Sequence, residues 1–287
     1  MSDKVEGIQD ITAAVQRRLL PVPEGVPPLR AGDTDMRVLI GIPMERVLGQ
    51  LPFFAFAEIL IQGWPLARLE YTRNDIARCK FAEFLMQDEK YTHLLMLDSD
   101  HVHPSDIVHR LSRWFRAYPE QVQVAGGLNF RRGQPFDPCA FIDPGDGNFR
   151  RMAEWSTGLM EVDALGSGSI MIARSVFEKI DKPWFGYSYE NYGDWAGTDM
   201  WFSAKCRKAG IPLWCDSTTT SPHVGDRLID EGTYREWLSE HLIEMGGTPL
   251  CELPSSSLRA RFSLTLESIR RWASGIWARR SKKPDTK

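Results

Sequence analysis

Two spacings of apolar residues alternate along the chain. Short runs rich in apolar residues, typical of strands, occupy residues 37–43, 66–71, 94–97, 122–125, 170–173 and 211–215. Segments with apolar residues every three or four positions, typical of helices, occupy residues 48–62, 73–86, 104–118, 175–180 and 200–209. Strands and helices in alternation predict an α/β fold, a sheet flanked by helices. Turn residues between 138 and 152 add a predicted hairpin.

The run at residues 94–97 ends in two carboxylates one residue apart, Asp98 and Asp100. Open α/β sheets bind ligands at the carboxyl ends of their strands, and two anions this close need a cation or strong donors. A hydrated divalent metal bridging to a substrate phosphate is one such cation, whereas an acidic turn is the structural alternative. The sequence contains neither Gly-x-Gly-x-x-Gly nor Walker A, which excludes the usual dinucleotide and P-loop sites.

Three further segments carry candidate binding residues. Arg73 and Arg78 stand at the beginning of the helix at 73–86, where each could contact a substrate anion or form a surface salt bridge. Gly166 and Gly168 could relieve a bulge or let the backbone approach a ligand. The aromatic segment at residues 184–195 could pack as a satellite core or stack on a sugar ring.

The ends of the chain differ from its middle in composition. A predicted helix at residues 8–20 precedes a proline-rich arm, and further helices are predicted at 234–245 and 258–280. Residues 259–287 hold nine basic and two acidic residues, a net charge of +7. This amphipathic basic segment could dock on an anionic lipid or nucleic-acid surface, or pack on the protein with a solvated basic face. The sequence thus predicts an arm, a central domain and a helical extension, at residues 1–35, 36–226 and 227–287.

Composition limits the class of protein. In 287 residues, a hydrophobic content of 43% with 10 Trp and 14 Phe excludes a disordered chain. The net charge of −3 gives no global case for nucleic-acid or membrane binding. Five scattered cysteines without a C-x-x-C pair fit reduced thiols, and neither a signal peptide nor a membrane span is recognisable. We therefore expect a cytoplasmic protein, with peripheral membrane contact if the basic tail binds lipid.

The order of these motifs resembles that of GT-A fold glycosyltransferases, particularly the family 2-like enzymes. The resemblance covers residues 37–225 and rests on a Leu-Asp-Ser-Asp strand end, a Thr-Asp-Met-Trp-Phe helix start and a histidine after the following strand. It implies a Rossmann-like mixed sheet in which Asp98 and Asp100 form the DxD motif. Asp100 would be the more direct metal ligand, and His223 a further one.

The resemblance also implies roles for other residues. Asp199 would be the catalytic base, although Thr198 stands where these enzymes commonly have the first acid of a Glu-Asp pair. His101 and His103 are expected to have helix-entry or surface roles instead of binding metal. Donor contacts are expected from Pro43, Arg73, Asn74, Arg78 and Ser99. Sugar or acceptor contacts are expected from Gly166, Ser167, Gly168, Trp195 and Thr198.

The function implied is metal-dependent transfer of a sugar from a nucleotide-diphosphate donor, a UDP- or GDP-sugar, to an acceptor hydroxyl with inversion. Mixed carboxylate and imidazole ligation suits Mn²⁺, with Mg²⁺ as the alternative. A sugar-phosphate nucleotidyltransferase is the nearest other enzyme, although residues 41–46 do not resemble its glycine-rich basic phosphate loop. A nucleotide-sugar-binding module without turnover is the alternative outside enzymes. The sequence leaves the acceptor and the oligomeric state open.

Overall fold

The helices and strands follow the predicted alternation. A computed structural model describes residues 17–44, 48–143, 145, 149–152, 154–187, 197–225 and 227–241. The chain divides into two units, Met1–Met245 and Gly246–Lys287, and every described residue belongs to the first. The predicted basic helix at 258–280 lies outside the described residues, as do residues 1–16. The predicted boundaries at residues 36 and 227 stay predictions.

The helices in the described part of the chain are α1 (Gln50–Leu60), α2 (Asn74–Gln87), α3 (Ile107–Ala117), α4 (Arg174–Lys179), α5 (Thr198–Lys208) and α6 (Glu231–His241). The strands there are β1 (Leu19–Leu20), β2 (Val38–Met44), β3 (Leu66–Glu70), β4 (His93–Leu97), β5 (Val124–Gly127), β6 (Ala140–Ile142), β7 (Arg150–Arg151), β8 (Leu159–Val162), β9 (Ala164–Leu165), β10 (Ser169–Ala173), β11 (Leu213–Asp216), β12 (His223–Val224) and β13 (Leu228–Ile229). None of these helices is long and apolar enough to cross a bilayer.

Within the described residues, the main sheet has eight strands in the order β1-β8-β11-β5-β10-β4-β2-β3. Strands β3, β2 and β4 run parallel, as do β5 and β11, while β10 lies antiparallel between β4 and β5. The predicted α/β class is therefore confirmed, with a mixed sheet flanked by helices. The predicted hairpin is confirmed as well, since β6 pairs antiparallel with β7.

Helices cover both faces of the sheet. Val38, Ile40 and Ile42 of β2 belong to one core cluster with α1 and α3. On the opposite face, α2 packs so closely that a Cβ at Gly41 would lie 2.7 Å from the Phe81 ring. In an open α/β sheet, the carboxyl ends of β2 and β4 are where a ligand site is expected.

The predicted helix at residues 8–20 is wrong at its C-terminal end. Leu19 and Leu20 form β1, which pairs antiparallel with β8. Glu161 N donates to Arg18 O at 3.0 Å, and the Arg18 guanidinium pairs with the Glu161 carboxylate at 2.6 Å. The sheet edge thus captures this segment, because β8 offers unpaired backbone groups that a helix cannot satisfy.

Candidate functional site

The site lies where β4 ends. All residues of β4 after His93 are buried, and Asp98 extends the ladder by donating its N–H to Gly168 O at 2.9 Å. Three residues on, His101 forms a β-bridge with His223. Val102 N donates to Pro222 O, and Val224 N donates to Asp100 O, both at 2.8 Å. Backbone pairing therefore brings the segment after β4 alongside the segment that carries His223.

A buried aspartate fixes the position of that second segment. Asp216 ends β11 fully buried, where its carboxylate accepts hydrogen bonds from Thr218, from Thr219 Oγ1 at 2.7 Å and from Trp114 Nε1 at 2.8 Å. Asn129 adds a second anchor by accepting a hydrogen bond from Ser221 N at 3.3 Å. Because the loop after β11 is tied down at several points, His223 is held in a defined place.

Asp100, His101 and His223 form a cluster of potential metal ligands. Asp100 Oδ1 lies 3.0 Å from His101 Nδ1, and Asp100 Oδ2 lies 2.9 Å from His223 Nε2. The two imidazole rings stack with centroids 4.1 Å apart. One potential ligand atom from each residue can be chosen such that all three lie within 4.8 Å of one another. Burial raises the pKa of Asp100, but the neighbouring His101 and His223 side chains outweigh it and hold that pKa well below its usual range.

The hydrogen-bond pattern of His223 fits a cation at this cluster. Its Nδ1 lies 3.2 Å from the Phe130 carbonyl oxygen, which can only accept, so Nδ1 carries the proton. In a neutral ring Nε2 then presents a lone pair toward the Asp100 carboxylate. Two lone pairs 2.9 Å apart repel unless the ring is protonated or a cation lies between them. A backbone carbonyl that fixes the tautomer is also the usual outer partner of a metal-binding histidine.

His101 differs from its predicted surface or helix-entry role. Its side chain is buried, with a residue exposure of 4%, and it belongs to the ligand cluster. The β-bridge to His223 places His101 beside Gly168, where an added Cβ would lie 3.0 Å from His101 Nε2. The signal in the sequence was a histidine directly after the DxD carboxylates, followed by another two residues later.

His103, also predicted near the surface, is buried and has a structural role. Its Nε2 lies 3.0 Å from Asp98 O and its Nδ1 lies 2.9 Å from Ser221 Oγ. Burial and the neighbouring His101 lower the pKa of His103 to about 3, so the ring is neutral. It donates from Nε2 to the carbonyl and accepts from the serine, and thereby joins the β4 end to the loop that carries His223.

Asp98 lies apart from that cluster and pairs with Arg78. Arg78 Nη2 donates to both oxygens of Asp98 at 2.8 and 3.0 Å, and Nη1 donates to Thr198 Oγ1 at 2.7 Å. The Arg78 side chain is 3% exposed, so the predicted donor contact is replaced by a buried network. Asp199 joins this network, since its Oδ1 lies 3.5 Å from Arg78 Nη1.

Asp199 is oriented through one of its two oxygens. Ser167 Oγ and Thr198 Oγ1 both donate to Oδ1, the latter at 3.0 Å. Oδ2 has no hydrogen-bond partner among the residues that the structure describes. About a third of the side chain is accessible, at 35% exposure. Asp199 therefore combines a fixed carboxylate with one oxygen available to a ligand.

The remaining predicted residues lie at varied places around the strand ends. Pro43 is buried near the end of β2, Ser99 is buried just after β4, and Asn74 is exposed at the start of α2. Arg73 pairs with Asp75 at 2.6 Å, which matches the salt-bridge alternative. A Cβ at Gly166 would lie 2.7 Å from Cys139 Cβ, so protein atoms occupy the space beside this glycine. Trp195 lies outside the described residues.

Gly168 makes room for the ligand cluster, and we expect Gly168→Ala to weaken it. An added Cβ would lie 3.0 Å from both His101 Nε2 and Asn129 Nδ2. Overpacking of this kind costs about 1–3 kcal/mol of unfolding free energy, and displacement of His101 should also lower the affinity for Mn²⁺. Denaturant titration and calorimetry with Mn²⁺ measure the two effects.

The matched control is Gly197→Ala, since a Cβ there meets nothing within 4 Å. Because alanine is a poorer N-cap residue than glycine, this change should cost about 0.5–1 kcal/mol of unfolding free energy, without displacing His101. Unchanged Mn²⁺ affinity in a folded Gly168→Ala protein would remove His101 from the ligand set.

Comparison with known proteins gives neighbours in structure alone. No family model matches the sequence, and no curated protein matches it. A197 from STIV aligns at 20% identity over 67% of this chain and 87% of its own, with a TM-score of 0.48. GalNAc-T7 with UDP, GalNAc and Mn²⁺ aligns at 12% identity over 69% of this chain and 44% of its own, with a TM-score of 0.44.

A third neighbour is a CMP:2-keto-3-deoxy-manno-octonic acid synthetase complexed with CTP. It aligns at 12% identity over 73% of this chain and 98% of its own, with a TM-score of 0.38. A glycosyltransferase and a nucleotide-sugar synthetase are thus both among the neighbours. At TM-scores below 0.5 these likenesses do not carry a functional assignment, which has to come from the side chains of the site.

Proposed function

We propose that this protein transfers a sugar from a nucleotide-diphosphate sugar to an acceptor hydroxyl in a metal-dependent reaction. The observation that carries the proposal is the pairing of two features at one sheet edge. Asp100, His101 and His223 form a cluster of potential ligands, and Asp199, in the network of Arg78 and Asp98, presents an oxygen to which no described residue donates. A metal cluster and a separate base are what glycosyl transfer from a diphosphate requires.

The donor set suits Mn²⁺, with Mg²⁺ as the alternative. One carboxylate and two imidazoles would hold the ion through Asp100, His101 and His223. When bound, it would act as a Lewis acid that neutralises the diphosphate leaving group. His101 thus replaces Asp98 as the third ligand beside the predicted Asp100 and His223.

Asp199 takes the proton of the acceptor. The bond between the anomeric carbon and the diphosphate oxygen breaks, the acceptor oxygen forms the new bond to that carbon, and its proton passes to Asp199 Oδ2. Ser167 and Thr198 hold Oδ1, so the carboxylate does not need to reorient during the step. Attack opposite the leaving group would invert the anomeric centre.

Thermal shift with nucleotide sugars tests the proposal. UDP-, GDP-, CMP- and dTDP-sugars are compared with and without Mn²⁺, and one diphosphate donor should raise Tm only when the metal is present. A ligand at 100 times its Kd stabilises the folded state by about 2.7 kcal/mol. If no donor shifts Tm with Mn²⁺, the proposed function is wrong.

Asp199→Asn should slow transfer while donor binding stays nearly unchanged. The amide keeps the contacts of Oδ1 but cannot accept the proton, and general-base catalysis contributes about 10²- to 10⁴-fold. Donor affinity measured by calorimetry provides the internal control, together with Asp181→Asn on the surface. A wild-type transfer rate would show that another group is the base.

A further inference from the structure

The Arg132 guanidinium lies beside the ligand cluster, within ion-pair distance of Asp100. Its Nη1 lies 3.7 Å from Asp100 Oδ2, beyond hydrogen-bond distance, and its side chain is 55% exposed. The residues that the structure describes give it no hydrogen bond. An arginine has five N–H donors in a rigid planar fork, which matches the oxygens of a phosphate. Arg132 thus offers its full set of donors next to Asp100.

The loop that carries Arg132 holds it in this position. Arg131 N donates to Asp137 O at 2.9 Å and Phe136 N donates to Gly133 O at 3.0 Å, which closes the loop on itself. The aliphatic part of Arg132 passes over Gly225, where an added Cβ would lie 3.2 Å from Arg132 Cγ. Gly225 follows Val224, whose N–H is bonded to Asp100 O at 2.8 Å. The backbone at Val224 and Gly225 therefore contacts both Asp100 and the Arg132 side chain.

The two arginines predicted to contact the donor are already engaged. Arg78 is buried against Asp98 and Thr198, and Arg73 pairs with Asp75. One divalent cation balances the diphosphate diester of the donor, but the departing nucleoside diphosphate gains a further negative charge, and Asp100 adds another. The site therefore needs another cation facing solvent, and Arg132 meets that need by position and exposure.

We propose that Arg132 forms a diphosphate-binding subsite with the Asp100, His101 and His223 cluster. This inference rests on the proposed function and names the residue that recognises the β-phosphate of the donor. In the ligand-free protein Asp100 keeps the guanidinium near by charge alone. Once Asp100 serves the metal, Arg132 directs its paired N–H donors at phosphate oxygens and stabilises the charge that develops as the diphosphate leaves.

Calorimetry with Arg132→Gln tests the subsite without relying on turnover. ADP, CDP, GDP, UDP and dTDP are titrated into wild type at saturating Mn²⁺, and the tightest binder is compared with its monophosphate. The variant should lose about 10- to 100-fold in diphosphate affinity, the effect of a lost charge-assisted bidentate contact. Monophosphate affinity should change less than about threefold, since a monophosphate lacks the β-phosphate to which Arg132 is assigned. Mn²⁺ affinity without nucleotide should not fall, because the substitution removes a positive charge beside the cluster.

Two further variants distinguish a specific contact of Arg132 from a general effect of positive charge. Arg227→Gln removes an exposed arginine that pairs with Glu236 at 3.2 Å, and it should bind the diphosphate like wild type. Arg132→Lys keeps the charge without the fork, and its affinity should fall between those of wild type and Arg132→Gln. Equal diphosphate affinity in wild type and Arg132→Gln overturns the subsite and leaves the proposed function standing. Failure of all five diphosphates to bind wild type overturns both.

Discussion

Asp100→Asn should abolish Mn²⁺ binding at micromolar metal and remove the metal-dependent thermal shift with any nucleotide sugar. The carboxylate bridges His101 and His223, at 3.0 and 2.9 Å, so its charge is what allows both imidazoles to share one cation. Loss of an outer-shell partner alone costs about 10- to 100-fold in metal affinity. Loss of the anionic ligand itself should exceed that range. Calorimetry with Mn²⁺ measures the effect directly.

The matched control is Asp106→Asn, which removes an exposed carboxylate paired with Arg110 at 2.6 Å. Mn²⁺ affinity should be unchanged there, because that pair lies on the surface at the start of α3. Far-ultraviolet circular dichroism should show both variants folded. Wild-type Mn²⁺ affinity in a folded Asp100→Asn protein would refute the proposed ligand cluster, whatever the activity.

Much of the fold could be predicted because apolar runs and helical spacings report burial directly. The buried strand β4, its neighbours β2 and β10, and the helices α3 and α5 lie within a few residues of their predicted positions. The inward face of α2 was predicted only in part. The apolar spacing predicts a buried stripe of Ile76, Phe81, Phe84 and Leu85; Phe81 and Leu85 are buried, whereas Ile76 and Phe84 are 46% and 39% exposed.

The buried face of α2 differs from the predicted stripe because of an interaction between residues that are distant in sequence. Arg78 turns inward because Asp98 lies 20 residues later, at the end of β4, and the two form a buried pair. Phe81 and Leu85 share the face of Arg78 and are fully buried, whereas Ile76 and Phe84 point outward. Apolar periodicity considers only apolar residues and therefore does not predict a buried arginine on the inward face. The pair of Arg78 and Asp98 sets the orientation of α2 instead.

The sequence predicted where the candidate site lies, but not which residues form it. Asp98 and Asp100 stand after a buried strand, which indicated the sheet edge correctly. Strand spacing could not predict their separate partners, because residues two apart share one face of a strand, whereas the chain leaves the strand in a turn at Ser99 and Asp100. Asp98 faces α2 and meets Arg78, while Asp100 faces the loop after β11 and meets His223. His101 enters the cluster through a β-bridge that no local pattern announces.

Because Arg78 pairs with Asp98 outside the ligand cluster, it also helps to position the proposed base, Asp199. One guanidinium binds Asp98 through Nη2 and Thr198 through Nη1, and Thr198 in turn donates to Asp199 at 3.0 Å. The Arg78 guanidinium thereby holds the end of β4 and the start of α5 together. Removal of that cation should therefore affect stability and the orientation of Asp199 at once.

Arg78→Met should lower the unfolding free energy by about 3 kcal/mol, because it leaves Asp98 without its cation in a largely buried place. Methionine fills much of the aliphatic volume, so lost charge pairing and not a cavity dominates the effect. We expect the lower end of the range for broken buried pairs, since the Asp98 side chain keeps 23% exposure to water. Denaturant titration gives the value, and Arg110→Met, which breaks an exposed pair, should change it by less than about 1 kcal/mol.

A double-mutant cycle identifies the source of that loss. Asp98→Asn in the Arg78→Met background removes the unpaired charge, so the second substitution should cost less than it does alone, or restore part of the stability. Coupling between contacting charged residues amounts to about 0.5–3 kcal/mol, whereas independent sites add within about 0.5 kcal/mol. Strictly additive losses would mean that Arg78 stabilises the protein through packing alone. A coupling above 1 kcal/mol would instead establish that one buried cation holds the Asp98 side of the site in place.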